Sequence, residues 1–367
     1  KMVSTKFLDN EQNNSNIKTS IQEQWLRSLE KQLKEKNLKP LYVQWFCTHQ
    51  CNFKCIHCGT DAAEKNKNEL KTKEIISTIK DLSELKCEFF IATGGEPLLR
   101  RDLFIALGYA KNLGLKTGLV TNGFLVEKYK KEIAKLELDS VMVSIDGYRK
   151  KHDIIRGVDG AYEHAINALD VFTDINIPVI GVSTVILNDN LTDIPSINDD
   201  VIKHGCMVHR LQAVINEGRA KNFRYKPNVL ENVFKFILDK RKQGIPVECD
   251  EGFGYLGPLE EKLREYRFFC QAGYRTFVIL ENGDIIGCSA LDHPELCEGN
   301  IRTESIKDIW WNKFQQFRDR DIWYKLLPQK CKECSYLMEC RGGCWVHRVN
   351  GEYCYLPIAK NVAEKYL

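Results

Sequence analysis

The stretch LYVQWFCTHQCNFKCIHC (residues 41–58) joins two signals. Its first six residues are an apolar run rich in aromatic and branched side chains, the composition of a buried strand. The run leads directly into four cysteines, Cys47, Cys51, Cys55 and Cys58. In parallel α/β sheets, ligand sites form at the carboxyl ends of strands. A strand followed by a cysteine loop therefore predicts an α/β sheet with metal chemistry at that edge. Cys47 closes the apolar run and reads as a buried strand-end thiol. That leaves Cys51, Cys55 and Cys58, one thiolate fewer than a closed structural metal site uses.

Five more runs of the same kind follow: EFFIAT (88–93), KTGLVT (116–121), SVMVSI (140–145), PVIGVSTVI (178–186) and MVHRLQAVI (207–215). Helical periodicity falls between them, near 72–85, 100–113, 126–136, 160–173 and 195–204. Six strands alternating with helices predict right-handed βαβ units and a parallel sheet whose strands are apolar on both faces. The expectation is a partial (β/α)6 TIM-like barrel, although periodicity alone also admits a doubly wound sheet. The alternation stops after residue 216, a helix is expected at 228–243, and widely spaced cysteines follow. This divides the chain into 1–40, a polar tail and accessory helix; 41–245, the barrel; and 246–367, a bridging region and a small cysteine-rich α+β domain. The accessory helix opens on Ser20-Ile-Gln-Glu23, the form of a capping box, and carries Ile21, Trp25, Leu29 and Leu33 as an apolar stripe.

The chain has 367 residues, 43% hydrophobic and 28% charged, with a net charge of +3. Such values are ordinary for a globular protein and give no sign of a nucleic-acid partner or a membrane surface. No apolar run approaches the length of a membrane span, and no signal peptide is visible, so a cytoplasmic location is expected. Fifteen cysteines are then the anomaly. An odd number, in a chain long enough to build a core, argues against a disulfide scaffold and for metal binding.

The spacing Cys51-x3-Cys55-x2-Cys58 resembles that of the radical SAM superfamily, and the resemblance extends over nearly the whole barrel. It implies a [4Fe–4S] cluster whose open iron chelates S-adenosylmethionine and whose reduction yields a 5′-deoxyadenosyl radical. Thr48 and Asn52 match the family's usual flanks, and His57 stands where the family has an aromatic near the adenine. Gly94-Gly95-Glu96-Pro97 follows the second strand, where the family's turn binds the methionine amino group. Glycine there is expected to let the backbone approach the ligand. Thr121-Asn122-Gly123 follows the third strand. Ser144-Ile-Asp146 follows the fourth, where the family holds the ribose and carboxylate. Arg156 is a candidate partner for the methionine carboxylate.

Farther on, Cys270, Cys288, Cys331, Cys334, Cys340, Cys344 and Cys354 resemble the seven-cysteine SPASM extension of such enzymes. Read alone, Cys331, Cys334, Cys340 and Cys344 also suit a zinc ribbon. The resemblance instead implies two auxiliary [4Fe–4S] clusters, three clusters in all. Cys331, Cys334, Cys340 and Cys354 would hold one. Cys270, Cys288 and Cys344 would hold the other, with Cys297 as a fourth ligand or the position left open for substrate. Cys87 and Cys206 read as core. Cys249 is a candidate hydrogen donor, and Asp250 and Glu251 beside it are candidate general bases.

Three functional classes remain. The leading one is a peptide or protein maturase acting on a ribosomally made peptide by crosslinking, thioether formation or epimerisation. Only the first 40 residues precede the barrel, so a separate leader-binding protein or direct docking is expected. The electron donor is expected to be of flavodoxin or ferredoxin type. The second class is small-molecule oxidation or tetrapyrrole modification, with sulfatase-type protein maturation beside it. The third is a non-catalytic metal-binding protein.

Overall fold

The computed structural model describes residues 21–290, 294–346 and 354–367. The expected polar tail and the Ser20 cap lie outside the described residues. Ten strands form one sheet: β1 (Tyr42–Phe46), β2 (Phe89–Thr93), β3 (Lys116–Thr121), β4 (Ser140–Ser144), β5 (Val179–Val185), β6 (Val208–Gln212), β7 (Val247–Cys249), β8 (Thr276–Ile279), β9 (Asp284–Ile286) and β10 (Cys297–Asn300). Their order is β10-β9-β8-β1-β2-β3-β4-β5-β6-β7. Every pairing from β8 through β1 to β7 is parallel, while β8–β9 and β9–β10 are antiparallel. The strand ladder thus runs on past the sixth strand. A three-residue seventh strand joins β6, and β8 lies on the outer side of β1 with Tyr42 opposite Thr276.

The helices between strands are α1 (Ile21–Lys34), α2 (Thr72–Glu84), α3 (Leu103–Asn112), α4 (Lys130–Leu136), α5 (Lys150–Arg156), α6 (Ala161–Asp174), α7 (Ile194–Lys203) and α8 (Val229–Lys242). On α2, Ile75, Ile79 and Leu82 recur at helical spacing and are fully buried, and the Glu74 carboxylate accepts the Lys71 N–H at the first turn. Helix α1 buries Leu26 and Leu29, with Trp25 edge-on to Phe269 at 4.3 Å. Arg320 binds both Glu23 and Glu30 of that helix at 2.8 and 2.7 Å, so α1 packs on the cysteine-rich region.

The strands are not apolar on both faces. Val43, Trp45, Phe90, Ala92, Val141 and Val143 are buried against the helices. The alternate positions, Tyr42, Gln44, Ser140, Ser144, Arg210 and Gln212 among them, are half-buried and often polar. Among the described residues these positions are only partly covered, and the sheet curls around them. Curvature brings the loop after β6 onto the loop after β1: the Arg219 N–H donates to the Cys58 carbonyl at 2.9 Å, and Gly59 packs on Ile215. The inner face is therefore a chamber wall, and polar residues on it face a site.

Candidate functional site

The cysteine loop is clamped from three sides. Arg100 stacks 4.7 Å from the Trp45 ring and donates to the carbonyls of Cys47 and Leu70. Thr48 donates its hydroxyl to Glu69. The turn after β2 lies directly on the loop: Gly95 N–H donates to Thr48 O at 2.7 Å and Glu96 N–H to Gln50 O at 2.8 Å. Gly94 has φ 133°, and a Cβ there would stand 2.6 Å from Thr48 O; one on Gly95 would overlap Gln50 O. These glycines admit the cysteine loop, whose backbone leaves no room for a Cβ at either position. Arg219 completes the clamp through its Nε, 2.6 Å from Cys55 O. Gly218 beside it leaves no room for a side chain against Cys58 and Gly59. The stretch after β6 was absent from the expected site because Gly-Arg-Ala carries no signature of its own.

Cys51 and Cys55 each have a donor, and Cys58 has a hydroxyl neighbour. Phe53 N–H points to Cys51 Sγ at 3.4 Å, Arg156 Nη1 to Cys55 Sγ at 3.6 Å, and the Thr60 hydroxyl lies 3.4 Å from Cys58 Sγ. Burial pushes the Cys51 thiol up to about 11, opposed by the Phe53 N–H. It also raises Cys55, opposed by Arg156. Thiols in this state bind as thiolates only when a cationic centre replaces the proton.

Behind Cys55 lies a buried ion network. Asp146, fully buried, pairs with Arg156 at 2.5 Å and with His57 Nε2 at 3.2 Å, and it accepts the Val185 N–H at 2.8 Å. Burial alone would raise the Asp146 carboxyl, but the charges of Arg156 and His57 hold it well below the usual carboxylate range. The network connects the end of β4, helix α5 and the last turn of the cysteine loop. His57 Nδ1 and Arg156 Nε are buried and have no hydrogen-bond partner among the described residues. Ser144 ends β4 on the inner face, in register with Ser183.

Glu96 is fully buried. It accepts from Thr121 Oγ1 at 2.8 Å, Asn122 N at 2.9 Å and Leu98 N at 3.1 Å, tying the turn after β2 to that after β3. Burial pushes it up to about 6 against those donors. Pro97 starts the short turn that follows, and Asn122 reaches Asn52 of the cysteine loop at 2.9 Å.

All fifteen cysteines are free thiols. Cys47, Cys87 and Cys206 lie in the main core. Burial pushes Cys340 up to about 12, and the nearby thiols Cys354, Cys331 and Cys334 add to the shift. Cys344 is raised by burial and then by Cys288 and Cys270. The charge contributions link Cys340 with Cys354, Cys331 and Cys334, and Cys344 with Cys288 and Cys270. Cys297 is exposed and donates to Gly299 O at 3.4 Å, and its charged neighbour is Asp284. Cys249 is fully buried in a second core cluster with Phe234 and Leu256. Asp250 accepts the Ala213 N–H at 3.3 Å, and burial followed by the Glu251 charge pushes it up to about 7.

A cavity of about 380 Å³ opens between the loop after β1 and the hairpin β8–β9, within the size range of small-molecule sites. Thr48, Gly94 and Gly95 line one wall, and Glu281, Asn282 and Ser289 the other. Three loop thiols and the orphaned nitrogens of His57 and Arg156 fit a cluster with a polar ligand, and the cavity is lined by other residues of the same loop, Thr48, His49 and Thr60.

Comparison with known proteins agrees. Residues 45–201 match the radical SAM superfamily model, and residues 270–335 match the SPASM iron–sulfur cluster-binding domain. The Fe-coproporphyrin III synthase of Methanosarcina barkeri is 28% identical over 87% of this chain and 86% of that protein. The mycofactocin maturase MftC of Mycobacterium tuberculosis is 24% identical over 83% of this chain and 78% of its own. Streptococcus suis SuiB bound to S-adenosylmethionine superposes with a TM-score of 0.71 at 19% identity, covering 96% of this chain and 84% of SuiB. Among the described residues no helix is long and apolar enough to cross a membrane. The chain carries a radical SAM superfamily domain at residues 45–201 and a SPASM iron–sulfur cluster-binding domain at residues 270–335.

Proposed function

We propose that this enzyme modifies a ribosomally made peptide. Bound to Cys51, Cys55 and Cys58, a [4Fe–4S] cluster with S-adenosylmethionine would supply the 5′-deoxyadenosyl radical that takes a hydrogen atom from substrate. The chain's own residues bind and orient. Gly94 and Gly95 offer backbone at the cavity wall, with Glu96 and Pro97 fixing their turn. Thr121, Asn122 and Ser144 supply polar edges. Arg156 and His57, held by Asp146, present their free nitrogens to the cofactor. Two further clusters are assigned to Cys331, Cys334, Cys340 and Cys354, and to Cys270, Cys288 and Cys344. Reduction is assigned to a flavodoxin- or ferredoxin-type donor in the cytoplasm, and leader recognition to a separate protein or to direct docking.

One observation favours a peptide over a tetrapyrrole, the substrate class that the name of the Methanosarcina relative implies. The cations beside the inner face are already committed: Arg210 to Glu248 at 2.9 Å, Arg156 to Asp146, and Arg219 to Asp61 at 2.6 Å. Glu251 adds negative charge there; its carboxylate acts on Tyr42, Arg210, Asp250, Tyr266 and Cys288. Among these described residues, a polycarboxylate macrocycle would meet the Glu251 carboxylate and cations already paired, an arrangement that disfavours it. Asp250 and Glu251 instead suit a proton-accepting role toward a neutral or basic peptide segment.

The test is direct. Reduced, reconstituted enzyme is incubated with S-adenosylmethionine and either coproporphyrin III or a library of short neutral and lysine-bearing peptides. Peptides are expected to raise 5′-deoxyadenosine formation at least about tenfold over the substrate-free rate, a difference of about 1.4 kcal/mol in barrier, and coproporphyrin III is expected to leave it unchanged. Stimulation by coproporphyrin III alone would overturn the peptide reading.

A further inference from the structure

Between the two C-terminal thiol groups stands a charge that packing alone does not explain. Arg341 follows Cys340 and has a left-handed backbone, φ 51°, continued by Gly342 and Gly343 at 80° and 69°. Glycine adopts such angles freely, whereas a residue with a Cβ does so under strain. The Arg341 guanidinium lies 4.4 Å from the Trp323 ring centroid and 5.9 Å from that of Phe269. The Trp323 indole N–H donates back to Arg341 O at 3.0 Å. Among the described residues Arg341 makes no ion pair; the carboxylates whose charges reach it, Glu23 and Glu30, are bonded to Arg320. A small cavity is lined by Arg341 together with Cys270, Cys340 and Trp345. One thiol of each group therefore borders the same space as this cation.

A cation packed on aromatic rings with no ion pair among the described residues is favoured by negative charge beside it. Thiolate-ligated clusters are anionic, more so by one charge after reduction, and net charge is a principal determinant of their potentials. We infer that Arg341 is the counter-charge shared by both auxiliary centres, fixed by its left-handed turn and by the Trp323 ring, and that it favours one-electron reduction of each. Each centre accepts one electron from the external donor, no bond is made or broken, and the guanidinium keeps its proton. The inference rests on the cluster assignment proposed above.

The experiment uses the full chain carrying Cys51→Ala, Cys55→Ala and Cys58→Ala, so that iron is held only by the C-terminal thiols. Iron and sulfide analysis should find two clusters, about eight irons. Potentiometric titration followed by EPR then compares Arg341→Met, Arg341→Gly and Arg341→Lys with this parent. At the parent's midpoint, Met and Gly are expected to lower the reduced-to-oxidised ratio about tenfold, 59 mV for a one-electron couple. Lys should stay near the parent. Gly relieves the backbone strain, so it carries the comparison if Met loses iron. A Gly variant titrating like the parent overturns the inference alone, since a structural role would leave the potential unmoved. A parent without two clusters overturns the assignment and the inference with it.

Discussion

Asp146→Ala is expected to lower folding stability by about 3–5 kcal/mol and to abolish S-adenosylmethionine cleavage. The fully buried carboxylate answers two cations at once, Arg156 at 2.5 Å and His57 at 3.2 Å, and it caps the Val185 N–H. Without it the Arg156 charge remains buried with only the Cys55 sulfur as a close partner. Removing one member of a buried pair leaves the desolvation of the other uncompensated, which is why the effect exceeds that of any surface pair. The loss of function has a separate origin, because Arg156 and His57 depend on Asp146 for their position beside the cluster loop. Urea denaturation of anaerobic protein reads the first effect, and 5′-deoxyadenosine formation the second. Asp146→Asn should retain the Val185 bond and part of the stability while still losing activity. Wild-type activity in that variant would remove the ion network from the site.

Gly95→Ala is expected to act through geometry alone. The added methyl overlaps Gln50 O, a backbone atom that cannot rotate away, so the cysteine loop must shift. Overpacking of this kind costs about 1–3 kcal/mol. The larger effect is on chemistry, since a shift of about 1 Å at reacting groups can reduce rates about 100-fold. The variant should therefore fold and hold its C-terminal iron while cleaving S-adenosylmethionine at least about 100-fold more slowly. Iron content and single-turnover cleavage measured on one preparation separate the two. Unchanged cleavage would mean that the loop does not rest on this turn as described.

Why some of this was legible before the structure is a matter of locality. The six strands from Tyr42 to Gln212 are short apolar runs between turns, and burial on the helix-facing side selects such residues directly. Their inner face was misread as apolar because the same runs contain Gln44, Ser144 and Arg210, whose role depends on the sheet curling round a chamber. Strand β7 has three residues, and β8 pairs with β1 across more than two hundred positions, so neither leaves a periodic trace. Cys51, Cys55 and Cys58 were legible because their ligands come from one loop. Arg219 was not, because a single guanidinium arriving from another βα turn has no local pattern. Arg341 escaped for the opposite reason: its left-handed backbone is a conformation that side-chain identity argues against.

The central claim is that three thiols, and no fourth, hold a cluster that leaves a position for S-adenosylmethionine. Wild-type protein and Cys55→Ala, both reconstituted anaerobically, should be compared for iron content and for 5′-deoxyadenosine formed after reduction. The wild type should bind about twelve irons and cleave S-adenosylmethionine, while the variant should lose about four irons, one cluster's worth, and all cleavage. Cleavage persisting in Cys55→Ala, or about one cluster with zinc in the wild type, would contradict the account.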